Sequence, residues 1–176
     1  MVQTTISPCD VLIIGAGVMG TLSALELAEA GQDVVILDKG QAGLEASWAG
    51  GGIISPLYPW RYSPPITALA TWSQNTFPDL IAQLRDSTGI DPELLANGML
   101  VTATNEREQA LAWGAGVSRA VIEITDDEAQ ALEPQVVLDE TPLWMPRVSS
   151  VRNPRMGQAL RPVSYTHLTL PTIVRV

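Results

Sequence analysis

The chain has 176 residues, 46% hydrophobic and 16% charged, a balance that excludes an intrinsically disordered chain. A net charge of −9 argues against a nucleic-acid-binding surface, and a single cysteine, Cys9, excludes an internal disulfide. No apolar run reaches the roughly 18 residues of a membrane span, and Met1 to Pro8 lacks the basic and apolar segments of a signal peptide, so a soluble cytoplasmic protein is expected.

The first strand is predicted at Cys9 to Ile14, a short, mostly apolar run suited to burial on both faces. Cys9 reads as a small buried residue rather than a nucleophile. The strand enters Gly15-Ala16-Gly17-Val18-Met19-Gly20, a G-x-G-x-x-G element, and a helical pattern follows at once. Gly15 permits the tight turn, Gly17 lets backbone approach a pyrophosphate, and Gly20 lets the helix pack close on the sheet. The phosphates would sit at the helix N-terminus, facing unpaired N–H groups and the positive end of the dipole. Over Thr21 to Ala30, Leu22, Leu25 and Ala28 form one stripe, with Ala24 and Leu27 beside it, and Gly31 suits the C′ position. Val34 to Leu37 is a second buried strand ending in Asp38. That acid lies 18 residues after Gly20, close to the roughly 20 expected for a carboxylate that accepts ribose hydroxyls.

Lys39 to Gly43 turns out of this strand, and Leu44 to Pro56 follows with Gly50, Gly51 and Gly52 in a row. Consecutive glycines let backbone pass against a flat or anionic ligand. A surface linker is the other reading of such a run; the flanking Trp48, Ile53 and Ile54 argue against it. Tyr58, Trp60, Arg61 and Tyr62 group polar-tipped aromatics around a cation. Two readings stay open for them: a substrate entrance or lid, and a packed loop leading into a helix. Pro64 and Pro65 suit the start of a helix that runs to about Arg85, with Pro78 kinking or restarting it and Gly89 ending it. Turns are expected at Asp91-Pro92-Glu93 and Asn97-Gly98, and a strand over Gly98 to Thr104. Asn105 and Glu108 are predicted to cap a helix to Trp113; Val121 to Ile124 is a strand; Thr125 and Glu128 cap a short helix that Pro134 stops. Asp126, Asp127 and Glu128 are read as helix caps, not catalytic carboxylates. Leu143 to Met145 is a strand, and Asn153-Pro154 opens a last helix, Arg155 to Arg161.

The glycine motif, Asp38-Lys39 and Glu45-Ala46-Ser47-Trp48-Ala49-Gly50-Gly51-Gly52-Ile53 together resemble the FAD-dependent D-amino-acid oxidase superfamily. Ser55-Pro56-Leu57-Tyr58-Pro59-Trp60-Arg61-Tyr62 looks like its glycine oxidase branch, which is linked to thiamine biosynthesis. The resemblance covers residues 9 to about 161 and implies FAD as cofactor. It implies a Rossmann-type FAD-binding βαβ unit of α/β class, with the start of a mixed α+β substrate domain, truncated. By it, Val18 and Met19 lie beside the pyrophosphate, Asp38 holds the ribose with Lys39 next to it, Ala46 and Ser47 contact the phosphates, and Gly51, Gly52 and Ile53 line the flavin ring. The cofactor-binding set is therefore Gly15, Ala16, Gly17, Val18, Met19, Gly20, Asp38, Lys39, Ala46, Ser47, Gly51, Gly52 and Ile53. No metal site is expected, and no catalytic residue is assigned, because the carboxylate-binding arginine of this family belongs to a half that is missing. The implied full-length enzyme oxidises the amine of glycine or a small amino acid, with oxygen as electron acceptor and hydrogen peroxide as product. Its nearest rivals are sarcosine oxidase-like and D-amino-acid dehydrogenase-like flavoenzymes; a non-catalytic nucleotide-binding fragment is the rival of another class. An NAD-dependent dehydrogenase is disfavoured by the triple glycine. Neither nucleic acid nor a membrane span is expected, and self-association into a homo-oligomer is left open.

The segments are read as 1–62, the FAD-binding unit with its glycine-rich flavin loop; 63–150, a helical segment and partial substrate domain; and 151–162, a return helix. No strand is expected after that helix. Residues 163–176 resemble the in-frame translation of a transposase-type sequencing adapter and are read as foreign. That makes His167 an artefact. It also removes Arg175, leaving 9 basic against 19 acidic residues, and the chain as it stands is expected to be an inactive fragment.

Overall fold

The computed structural model describes residues 8–117, 119–166 and 173–175, with backbone alone for 163–166 and 173–175. Met1–Ser7, read above for a signal peptide, and His167 to Thr172 of the tail lie outside the described residues. In chain order the elements are β1 (Val11–Ile14), α1 (Val18–Glu29), β2 (Val34–Asp38), α2 (Ala46–Ala49), β3 (Ile53–Ile54), a 3-10 turn (Pro59–Arg61) and α3 (Pro64–Thr88). There follow β4 (Met99–Val101), α4 (Arg107–Gly116), β5 (Ile122–Glu123), α5 (Asp126–Leu132), β6 (Leu143–Met145), β7 (Ser149–Ser150), α6 (Asn153–Thr166) and β8 (Ile173–Arg175). They make two compact units: Met1–Gly51 with Asp79–Glu93 and Arg152–Val176, and Gly52–Pro78 with Leu94–Val151.

The first unit is a parallel sheet in the order β1-β2-β8. Val11 to Ile14 run in register with Val34 to Leu37. α1 covers one face, and Ala16, Ala24, Val34, Ile36 and Ala42 form the core there. Its end is closed by two backbone bonds, Gln32 N–H to the Leu27 carbonyl (3.0 Å) and Gly31 N–H to the Ala28 carbonyl (2.9 Å), the Schellman pattern expected of a C′ glycine. β1 is not buried on both faces as expected. Alternate residues of a strand face opposite ways; Val11 and Ile13 pack inward, while Leu12 and Ile14 are exposed. Cys9 is only partly buried. α6 packs on α1 and α2, and its start is tied to the Asp91–Glu93 turn: Arg155 donates to the Asp91 carbonyl (2.6 Å) and pairs with Glu93 at 3.2 Å. The absence of a strand after the last helix is corrected: Ile173–Arg175 runs parallel to Ile36–Asp38. An open strand edge offers unpaired N–H and C=O groups to any extended segment, whatever its origin.

In the second unit, β4 and β5 flank β6 in an antiparallel sheet. Trp60, Val101, Ala110, Val121, Leu143, Met145 and Val148 fill its core. β3 pairs with β7, so the segment after the triple glycine is ladder, not linker; of its apolar flanks Ile54 is buried, while Trp48 and Ile53 are exposed. α5 carries the expected capping box. The Thr125 hydroxyl accepts Glu128 N–H, and the Glu128 carboxylate accepts Thr125 N–H. The box expected of Asn105 and Glu108 is not formed. α4 begins one residue later, with Glu106 at the N-cap, because the Thr104 hydroxyl takes Glu106 N–H (3.1 Å) and closes the turn. Leu143 is fully buried at the centre of the sheet. Leu143→Ala is expected to cost about 3 kcal/mol in urea unfolding, and a loss within error of zero would contradict this packing.

Candidate dinucleotide-binding site

β1 leads straight into the glycine turn. Gly15 has φ +105°, closed to side chains that carry a Cβ, and its N–H bonds the Leu37 carbonyl at 2.7 Å. A Cβ on Gly20 would stand 1.9 Å from the Gly15 carbonyl oxygen. Only glycine allows α1 to begin that close to the turn. Gly17 is the N-cap and supplies no side-chain cap, and the first turn holds no acid. The leading N–H groups of α1 therefore lack helical partners. One is met: Val18 N–H donates to the Ser47 hydroxyl at 3.0 Å, which also sits 3.1 Å from where a Gly17 Cβ would be.

Asp38, at the end of β2, faces this turn. Its carboxylate accepts Ala16 N–H at 2.6 Å and Gly40 N–H at 2.7 Å. The bond from Ala16, then that from Gly40, holds its carboxyl below the usual carboxylate range, with Lys39 adding attraction and burial opposing. Lys39 itself pairs with Glu45 at 3.0 Å. Gly43 N–H bonds the Ala16 carbonyl at 2.9 Å, drawing the following loop against the turn.

These pieces enclose a cleft of about 390 Å³. Of the residues expected from sequence, Gly15, Gly17, Asp38, Lys39, Ala46 and Ser47 line it. Ala16 is buried behind it, Met19 is exposed on the first turn of α1, and Gly20 meets the Gly15 carbonyl. Gly51, Gly52 and Ile53 do not line it. The Gly52 carbonyl accepts Val151 N–H at 2.9 Å and Ile53 opens β3. Sequence reasoning missed Ile14, Leu37, Gln41, Gly43, Leu44 and Glu45 as lining.

Within the second unit, Trp60 of the aromatic–arginine group is buried in the core, while Arg61 and Tyr62 are exposed. Trp60 Nε1–H and Arg61 Nε–H both donate to Glu106 Oε2, each at 2.7 Å, and the Arg61 guanidinium lies 4.3 Å over the Tyr58 ring. Arg61, then Trp60, pulls the Glu106 carboxyl below its ordinary range. Trp60 and Arg61 thus spend these donors on Glu106, and Tyr58 is held at φ +51°.

A parallel βαβ unit, an uncapped helix start over a cleft and a carboxylate ending the second strand define a dinucleotide-binding α/β protein. The chain belongs to the FAD dependent oxidoreductase (DAO) family, whose profile matches residues 10–169. It is 46% identical over 152 residues to a glycine oxidase of Pseudomonas aeruginosa, covering 86% of this chain and 42% of that protein. A D-amino acid dehydrogenase of Paramagnetospirillum magneticum is 38% identical over 103 residues, 57% of this chain and 24% of that protein. The crystal structure of glycine oxidase from Geobacillus kaustophilus superposes with a TM-score of 0.82 at 28% identity, over 96% of this chain and 46% of that one. The chain thus spans less than half the length of the glycine oxidases it matches.

The family's cofactor is FAD, and the cleft fits its pyrophosphate by two features: a turn that a Cβ would fill, and helix N–H groups without partners. Gly20→Ala is expected to weaken FAD binding by about tenfold or more, read by quenching of flavin fluorescence; unchanged affinity would contradict the close approach. Asp38 has a lowered pKa, so its contribution is full above the unfolded value of about 3.9 and is lost as pH falls through the native value. The cleft is expected to loosen below about pH 4, read as faster amide exchange at Ala16 and Gly40, with Asp38→Asn loosened at every pH.

Proposed function

We propose that this chain is the FAD-binding part of an enzyme that oxidises the amine of glycine, or of a similarly small amino acid. The observation that carries the reading is the glycine-turn cleft with Asp38 and Ser47, in a chain 46% identical to a protein named glycine oxidase. In this reading Val18 and Met19 lie beside the pyrophosphate, which the Met19 N–H and the Ser47 hydroxyl bind, while Asp38 exchanges its bond to Ala16 for the ribose hydroxyls. Ala46 stands beside the phosphates, and Gly51, Gly52 and Ile53 run along the flavin ring. FAD, when bound, supplies the hydride acceptor. The substrate amine loses its α-hydrogen as hydride and an N–H proton to solvent. Water then converts the imine to a 2-oxo acid and ammonia. Oxygen takes the electron pair and two protons to give hydrogen peroxide. We infer that the product serves thiazole formation in thiamine biosynthesis and that the enzyme is cytoplasmic. Support for both is the likeness of Ser55 to Tyr62 to the glycine oxidase branch, together with the finding that no helix among the described residues is long and apolar enough to cross a membrane. In the same reading, residues 163–176 are adapter-derived.

A second reading has a specific observation behind it: the 38% identical relative named D-amino acid dehydrogenase. The complete enzyme, mixed with glycine without air, is expected to bleach its flavin absorption; admitting air is expected to restore it with one peroxide per turnover. Bleaching by a D-amino acid with no recovery in air would favour the dehydrogenase instead. The 176-residue chain alone is expected to make no peroxide from glycine.

A further inference from the structure

Residues 62–78 form the longest run in the chain without an acidic or basic residue, 17 in all, although 16% of the chain is charged. The next two such runs hold the glycine turn and the Ser47 loop, and the cleft accounts for them. This third run is the first half of α3 and its approach, and nothing in the described fold accounts for it. The buried residues of α3 are Ile81 and Leu84, both beyond Pro78. Before Pro78 the helix leaves Ile66, Leu69 and Trp72 exposed, at 46%, 67% and 65%.

Their placement separates them from stray apolar residues of a surface. A helix turns about 100° per residue. Thr67, Ala70, Thr71 and Gln74 fall on one side, where they line a small cavity with Trp113, and Gln74 donates to the Ile54 carbonyl at 2.6 Å. Pro65, Leu69, Trp72 and Thr76 fall on the opposite side, with Ile66 at its margin. A helix packed on a protein by one side carries charge on the other. Here the outer side holds the large apolar residues. It is also ready to lose water. The Thr76 hydroxyl donates to the Trp72 carbonyl at 2.7 Å, and Pro64 and Pro65 carry no N–H at the helix start.

We propose that this stripe of α3 is a contact between two copies of the chain, the helices packing antiparallel about a two-fold axis at Leu69. That axis sets Trp72 of each copy against Ile66 of the other, since both lie three residues from Leu69. A second copy suits the charge. The chain carries −9, so two copies repel where charged faces meet and approach freely at an uncharged one. A membrane surface suits the stripe poorly, because interfacial helices flank their apolar side with Lys or Arg, and residues 62–78 hold neither. At about 200–250 Å² for a large side chain, the three exposed ones and their small neighbours offer roughly 500 Å² per copy. Two copies then bury about 1,000 Å², enough for a specific but weak dimer. The stripe lies wholly within the second unit, and the proposal does not rest on the FAD reading.

The test is sedimentation velocity on the 176-residue chain over a range of concentrations. The chain is expected to pass from monomer to dimer between roughly 1 and 100 μM. Leu69→Glu and Leu69→Lys each set like charges together at the axis, and each is expected to weaken association by about tenfold or more. An equimolar mixture of the two variants is expected to dimerise again, because opposite charges then meet. Val137→Glu, at an exposed apolar position outside α3, is expected to leave the dimer unaltered. A monomer at every concentration, association that the Leu69 variants leave unchanged, no recovery in the mixture, or equal loss with Val137→Glu would overturn the proposal. So would a complete enzyme in which Leu69→Glu lowers thermal stability and leaves the oligomeric state as it was, since the rest of the same protein would then cover the stripe.

Discussion

The first unit depends on one close approach: the Cα of Gly20 against the carbonyl of Gly15, where a Cβ would stand 1.9 Å from oxygen. That contact lets α1 begin almost at the end of β1 and turn its N-terminus over the sheet. A helix started this way has no room for a side-chain cap at Gly17. Its N–H groups are left for a ligand, apart from the one taken by Ser47. The rest of the cleft is arranged about this turn. Asp38 is held on Ala16 and Gly40, and Gly43 is drawn onto the Ala16 carbonyl. The helix dipole favours an anion at that point, while Asp38 supplies a charged acceptor beside it for hydroxyl donors. One turn therefore offers donors for phosphate and an acceptor for sugar.

The second unit solves a different problem. It surrounds a small antiparallel sheet with polar groups that are largely satisfied among themselves. Glu106 gathers Trp60 and Arg61. Arg107 reaches Glu123 and the Thr141 carbonyl, and the Thr125–Glu128 box closes α5. Among the described residues, the Trp113 indole N–H is the one buried side-chain donor without an acceptor.

What the sequence revealed was local. The glycine spacing, Asp38 at the end of an apolar run and the Thr125-to-Glu128 pair all act over a few residues, so pattern alone located them. What it missed was set by contacts between distant segments. Asn105 was a reasonable cap until Thr104 took the Glu106 N–H and Glu106 turned to Trp60 and Arg61, some 45 residues away. Ile14 looked like a core residue, but alternation sent it to the exposed face. Leu44 and Glu45 line the cleft through the fold of the loop after β2, which local spacing does not set.

The most direct test of the account is amide hydrogen exchange on this chain with and without FAD, resolved by peptide. Slowed exchange over Gly15 to Thr21 and over Lys39 to Ser47 is the result the account requires, because those segments build the cleft. Exchange unaltered there, or slowed only within Leu94–Val151, would contradict it.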